Sequence, residues 1–257
     1  MMKKITAFLL MMAPVAVLAA GGGDLPLYKA DVDLNNQASL QRGAQLYTNY
    51  CMGCHSLSSM RYNRMGQDIG LTDEQVAQNL MFVADFSKLP TGETPKMGSL
   101  MKNAMPKGDA EKWFGTKVPD LSVIARSRGA DWLYTYLKTF YVDESRPLGV
   151  NNARFPLVGM PHVLWELEGL KKPVYETHEN ADGEEVKTLV DYEMVQEGTM
   201  SPAEYDDAVR DLVNFLVYVG EPAKLVRYNV GVWVILFLVV LFFFAYALKK
   251  EYWKDVH

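Results

Sequence analysis

The chain has 257 residues, is 49% hydrophobic and 22% charged, and carries a formal net charge of −5, enough apolar material for one sizeable core and a membrane element. An acidic balance argues against nucleic acid, which selects basic surfaces. It suits a cationic partner, although a moderately acidic surface is often no more than a soluble one.

Residues 1–20 read as a secretory leader: Lys3 and Lys4 form a positive start, Ile5 to Leu18 an apolar stretch, and Ala19 to Gly23 a run of small residues. The apolar stretch is short and contains Pro14, which weighs against a membrane anchor at this end. Cleavage after Ala19 and after Ala20 fit equally, and loss of the two lysines takes the formal charge from −5 to −7. Residues 21–221 are then expected to form one exported domain.

From Ala38 to Tyr50 the pattern is helical, with Leu40, Gly43, Ala44 and Tyr47 on one stripe. The stripe runs into Cys51-Met52-Gly53-Cys54-His55. Two thiols three positions apart, followed at once by an imidazole, are what covalent attachment of a c-type haem requires: the thiols form thioethers with the two vinyl groups and His55 lies under the iron as proximal ligand. A zinc site would need further ligands. The chain has no other cysteine, and His162, His178 and His257 show no paired spacing. The remaining alternative is a dithiol redox pair. Gly43 is placed to let another helix approach closely, and Tyr47 to cover the porphyrin edge.

Thr72 followed by Gln75 has capping-box spacing and predicts a helix from about Asp73 to Val83. Glycine and proline recur between Asp85 and Val118, so that stretch reads as irregular loop with one short helix near Ser99 to Ala104. Pro119-Asp120-Leu121-Ser122 follows, then the basic pair Arg126 and Arg128, and an aromatic-rich helix from Asp131 to about Tyr141. Asn151 to Pro161 is loop again. Val174 to Thr177 and Val186 to Val190, parted by a polar stretch with Asp182-Gly183, predict a small β-hairpin.

Ser201-Pro202 with Glu204 opens a helix whose Val209, Leu212, Val213 and Leu216 face is suited to cross the Leu40-Gly43-Tyr47 stripe. Gly220 and Pro222 interrupt it. From Tyr228 to Leu248 there are 21 uncharged residues, about 31 Å of helix, enough to span a bilayer once. Lys249 and Lys250 close the run, and Tyr228, Trp233, Tyr246, Tyr252 and Trp253 stand near its ends, where amphipathic rings favour the interface. The expected organisation is leader 1–20, exported domain 21–221, anchor helix 222–250 and a cytoplasmic tail 251–257.

Several stretches, in order, resemble the cytochrome c1 family, the haem subunits of cytochrome bc1 complexes, in their proteobacterial form. They are Arg42-Gly43 with Tyr47 ahead of Cys51 to His55, Ser56-Leu57, Arg61-Tyr62, Pro119 to Ser122 with Arg128, Gly159-Met160-Pro161, and the single C-terminal span. The resemblance implies a mostly α, class I cytochrome c-like haem domain with loop insertions, the small β-hairpin and one C-terminal transmembrane helix. It implies one haem c, with Cys51 and Cys54 as attachment points, His55 and Met160 as axial ligands, Arg128 as partner of a propionate, and Pro119 and Tyr47 beside the cofactor. It implies cytochrome b and Rieske iron–sulfur subunits as partners and a periplasmic c-type cytochrome as acceptor, at the bacterial inner membrane with the haem domain in the periplasm.

The residues alone leave the second axial ligand open. Met60 and Met65 lie too near His55 to reach the opposite face, and Met81 and Met200 sit in or beside predicted helices. Met105, before Pro106, and Met160, between Gly159 and Pro161, have the same local chemistry, and only the resemblance favours Met160. An iron held by histidine and methionine has no open position, so it exchanges electrons and binds no substrate. That disfavours an anchored haem enzyme. A free-standing membrane-tethered shuttle is the other alternative, and it tends to have a longer, flexible linker than the short 220–227 segment with its Pro222.

Overall fold

The computed structural model describes residues 25–82, 96–103, 105–179 and 185–255; the expected leader lies outside them. The first helix, α1, spans Gln37–Leu46 and opens on Asn36, whose side chain accepts from the Ser39 amide. It continues into a single π turn, Tyr47–Cys51, in which the Met52 amide donates to the Tyr47 carbonyl at 2.9 Å. The predicted helix therefore reaches the Cys-x-x-Cys-His motif, but its last turn is wound wider than an α turn, as helices often are at functional sites.

Strand β1 (Leu57–Arg61) and the helices α2 (Tyr62–Asp68) and α3 (Asp73–Leu80) follow. Thr72 and Gln75 form the reciprocal capping box that their spacing predicts. The helix ends at Leu80, and Val83, its expected end, falls outside the described residues. The short helix expected near Ser99 to Ala104 is absent from the described part of that stretch: Leu100–Met101 form strand β2 instead, antiparallel to β1 with Leu57 opposite Met101. A partner forty residues away overrides a weak local preference. Helix α4 (Lys107–Phe114) lies in sequence expected to be irregular.

Helix α5 (Ile124–Arg128) was not expected, and α6 (Ala130–Lys138) is the helix expected from Asp131, ending at Lys138 rather than near Tyr141. Thr139 ends α6 by donating its hydroxyl to the Thr135 carbonyl at 2.8 Å. The aromatic and β-branched Phe140–Val142 then forms β3, paired with β4 (Val150–Asn152). After α7 (Trp165–Glu168) comes the hairpin of β5 (Gly169–Glu179) and β6 (Glu185–Glu197), the predicted hairpin at greater length. Helix α8 (Pro202–Gly220) carries the Ser201/Glu204 capping box with proline in its first turn.

The core is the crossing of α1 and α8. Leu40, Ala44 and Tyr47 on one side and Val209, Leu212, Val213 and Phe215 on the other are fully or nearly buried. Gly43 makes the crossing possible: a β-carbon there would lie 2.1 Å from the Asp211 carbonyl oxygen. Beside it Arg42 grips the buried Asp211 carboxylate with two hydrogen bonds, 2.5 and 3.1 Å long, a geometry suited to the guanidinium fork. The segment before α1 is tied across α6 by the Tyr28 amide donating to Thr135 Oγ1 at 2.8 Å and by Lys29 paired with Asp131 at 2.7 Å.

The last helix, α9 (Lys224–Tyr252), has 29 residues and a mean hydropathy of 2.7 over its most apolar window, none of it buried. A helix of about 44 Å whose most apolar stretch is unburied among the described residues is suited to lipid.

Gly43→Ala is predicted to lower the unfolding free energy by about 1–3 kcal/mol, the usual cost of overpacking, whereas Gly108→Ala, with nothing within 4 Å of the added carbon, should leave it near the parent value. Urea titration of both variants checks this. An equal loss at both positions would show that the close crossing is not what Gly43 permits.

Candidate haem site

The π turn delivers Cys51 buried at the end of the helix and Cys54 half-buried one turn on, with His55 next to it. The Cys54 and His55 amides both donate to the Cys51 carbonyl, at 3.1 and 2.8 Å, so the pentapeptide is a closed turn. Three contacts fix it from outside. The Tyr47 hydroxyl donates to the His55 carbonyl at 2.6 Å. Asn103 donates its side-chain amide to the Cys54 carbonyl and accepts from the Ser56 hydroxyl at 2.8 Å. On the far side, His55 Nδ1 lies 2.8 Å from the Pro119 carbonyl oxygen.

A carbonyl can only accept, so the proton sits on Nδ1 and Nε2 keeps a free lone pair. Burial also holds the imidazole below its ordinary pKa of 6.5, against the opposing pull of the Pro119 carbonyl. The ring is thus neutral and aimed, the state an iron ligand needs.

The Pro119 loop is itself laced to the strand that leaves the motif. Asp120 accepts from the Ser58 amide at 2.9 Å and from the Ser122 amide at 2.8 Å. The Leu121 amide donates to the Ser56 carbonyl at 2.9 Å, and the Ser59 amide to Ser122 Oγ at 3.0 Å. Burial alone would raise the Asp120 pKa, but hydrogen bonds from Ser122 and Ser58 outweigh it and hold the carboxyl below its ordinary 3.8.

Two adjoining clefts open at this turn. Cys51, His55, Pro119 and Met160 line both. The first adds Cys54, Phe114 and Gly159; the second adds Arg128, Trp132, Tyr136 and Leu212, and counting their open mouths they hold about 480 and 800 Å³. A β-carbon on Gly159 would lie 2.9 Å from Thr116 Cγ2, so the glycine lets the Met160 turn close against the 114–116 segment. The Tyr136 hydroxyl donates to Met160 Sδ at 3.3 Å. Met105 lines a different groove, which includes Cys54 and Pro119 but not His55.

Of the residues singled out in the sequence, Cys51, Cys54, His55, Pro119, Arg128 and Met160 therefore meet around one space. Arg128 is exposed at its rim, with the guanidinium 5.0 Å from the centroid of the Trp132 ring. Tyr47 lines neither cleft: its ring is fully buried against Phe215 at 5.8 Å, and it braces His55 from behind. Sequence reasoning passed over Tyr136, Trp132 and Asn103, and gave Asp120 no role beyond its place in the Pro119–Ser122 motif. The spacing of Arg128, Trp132, Tyr136 and Phe140 at steps of four was the available signal for the aromatic wall.

The residues fit a haem. The donor set is two cysteines on one edge, a neutral imidazole, a thioether sulfur and a cation at the rim, around a largely apolar space. Burial pushes the Cys51 thiol up to about 12 and raises Cys54 as well, the reverse of the lowered value a redox dithiol needs. Among the described residues no group of three His, Cys, Asp or Glu side chains is gathered for a metal ion.

Residues 29–256 match the model of the "Cytochrome C1 family". The chain is 52% identical over 257 residues to cytochrome c1 of Allochromatium vinosum, covering 100% of both chains. It is 44% identical over 256 residues to a Nitrosomonas europaea protein named ammonia monooxygenase gamma subunit, covering 100% of this chain and 99% of that one. To the mitochondrial cytochrome c1 haem protein of Neurospora crassa it is 32% identical over 231 residues, which is 84% of this chain and 61% of that one.

Because the folded-state pKa of Asp120 is depressed, the stability it contributes is present above the unfolded value and lost as the pH falls through the lower folded one. The gap in urea midpoint between the parent and Asp120→Asn is predicted to be full well above pH 3.8 and to shrink on acidification below it. A gap that stays constant as the pH falls would show that the ionised carboxylate is not what closes this clamp.

Proposed function

The chain belongs to the cytochrome c1 family, and from that premise we propose that it accepts one electron at a time from a Rieske iron–sulfur subunit and passes it to a c-type cytochrome on the periplasmic face of the inner membrane. Members of the family are electron-transfer subunits of bc1 complexes and carry one covalently bound haem c. When bound, that group supplies one-electron exchange at its iron. The observation that carries the site assignment is the sharing of Cys51, His55, Pro119 and Met160 by both clefts.

Each residue has a distinct task in this reading. Cys51 and Cys54 attach the porphyrin edge. The Pro119 carbonyl accepts from His55 Nδ1 and so holds the imidazole, while the Tyr47 hydroxyl donates to the His55 backbone carbonyl. Met160, with Tyr136 donating to its sulfur, would be the second protein ligand to the iron. Arg128 offers a positive charge to a propionate at the rim, and Trp132, Tyr136 and Leu212 exclude water. The anchor helix α9 keeps the domain on the membrane beside cytochrome b, with its Lys249 and Lys250 end on the cytoplasmic side. We carry over no oxygenase role from the relative named for ammonia monooxygenase, because an iron held by both His55 and Met160 would leave no place for a substrate.

Purification of the native complex from detergent-solubilised membranes, by an affinity tag on this chain, tests the proposal. Co-purification of b-type haem, seen in the reduced spectrum, together with an iron–sulfur subunit is the predicted result. A tagged chain that carries only c-type haem and no partner subunits would contradict it and indicate a free-standing tethered carrier.

A further inference from the structure

Behind the Met160 turn lies a second polar cluster that the electron-transfer reading does not use. His162, Glu168 and Lys171 have side chains only 5%, 10% and 9% exposed. His162 Nε2 is 3.0 Å from Glu168 Oε2, a close contact that is not aligned as a hydrogen bond. The other Glu168 oxygen meets Lys171 Nζ. Lys171 also donates to the Lys138 carbonyl at 2.7 Å and lies 4.7 Å from the centroid of the Tyr192 ring.

Stability does not explain such a row. A buried ion pair can often be replaced by apolar side chains of the same size at little or no loss, whereas removing one partner strands a buried charge. Its position is more informative. His162 follows Met160 after the single residue Pro161, whose fixed φ leaves little slack between them. The His162 ring stacks on Phe140 at 5.1 Å and 3°. Phe140 in turn meets Tyr136 edge-on at 5.2 Å and 71°, and Tyr136 is the donor to Met160 Sδ. Met160 is thus held along two routes, through the backbone and through a pair of rings, and both end on His162.

We propose that Glu168 is a positioning residue for the Met160 turn: backed by Lys171, its carboxylate fixes the His162 ring and so keeps the methionine sulfur at the haem cleft. The inference rests on the reading of Met160 as the second iron ligand.

The test uses the full-length, haem-loaded chain in detergent. Imidazole affinity of the ferric form, midpoint potential and thermal unfolding are measured for the parent, Glu168→Gln, and the double variant Glu168→Met with Lys171→Met. Asp211→Asn, a buried carboxylate in the α1–α8 crossing, serves as the control. Glu168→Gln and the double variant should bind imidazole about tenfold more tightly, because the fraction of molecules with Met160 displaced rises, and should have a lower potential. The double variant should do so with a melting temperature at or above that of the parent. Asp211→Asn should melt earlier with its imidazole affinity unchanged.

Parent-like imidazole affinity in the double variant would overturn the inference. So would an equal rise in Asp211→Asn, or loss of haem from both Glu168 variants, which would make the cluster a support of the whole fold. Met160→Leu separates this inference from the reading beneath it. If its ferrous form fails to bind carbon monoxide, the ligand assignment is wrong. If it binds carbon monoxide while the Glu168 variants behave as the parent does, only the positioning role falls.

Discussion

The hydrogen bond between His55 Nδ1 and the Pro119 carbonyl oxygen, 2.8 Å long across 64 residues of sequence, is the contact on which the rest of the site depends. It fixes the tautomer, the ring plane and the free lone pair together. A lone carbonyl on a surface loop would be a poor anchor, and the surrounding lacing answers that need. Asp120, Leu121 and Ser122 are hydrogen-bonded to Ser56, Ser58 and Ser59, the residues that follow His55. The imidazole and the group that orients it therefore move as one body. The Tyr47 hydroxyl completes the arrangement from the core side, where the α1–α8 crossing permits no slack.

This division of labour explains why the molecule is arranged as it is. The rigid part is the helix crossing with the π turn grown out of it, and it presents the cysteines and His55. The opposite wall is assembled from loops and short elements: the Pro119 loop, α5 and α6 with their aromatic side chains, and the Met160 turn. Its polar atoms are mostly turned into its own hydrogen bonds, which leaves the space between the walls apolar. Little reorganisation of water or protein accompanies a change of charge at such a site, a useful property in a carrier of single electrons.

How much of this could be read in the sequence depends on the range of the interactions. Cys51, Cys54 and His55 were legible because their chemistry is set by spacing within one turn. The capping boxes at Thr72 and Ser201 and the apolar run of α9 were legible for the same reason. Gly43 was readable as a close-approach site because its stripe and the Val209–Leu216 face had matching periods. The π turn left no mark, since it differs from an α turn by one residue in register. Strands β1 and β2 were missed because each is short and owes its conformation to the other, and Leu100–Met101 looks helical when read alone. Likewise Phe140 to Val142 continued the period of α6 until Thr139 ended the helix and β4 took up the strand. Tyr47 lies behind the motif, rather than over the cleft, because it shares the Leu40-Gly43-Ala44 stripe that packs on α8, where its ring meets Phe215.

The central claim is that Cys51 and Cys54 are not thiols in the working protein but the two covalent seats of one haem. Intact-mass analysis of the chain purified from membranes, after denaturation and treatment with a thiol alkylating reagent, tests it most directly. The account predicts a mass greater than that of the polypeptide by one haem, with neither cysteine alkylated. A chain without the added haem mass, or one in which Cys51 and Cys54 both take up the reagent, would contradict it.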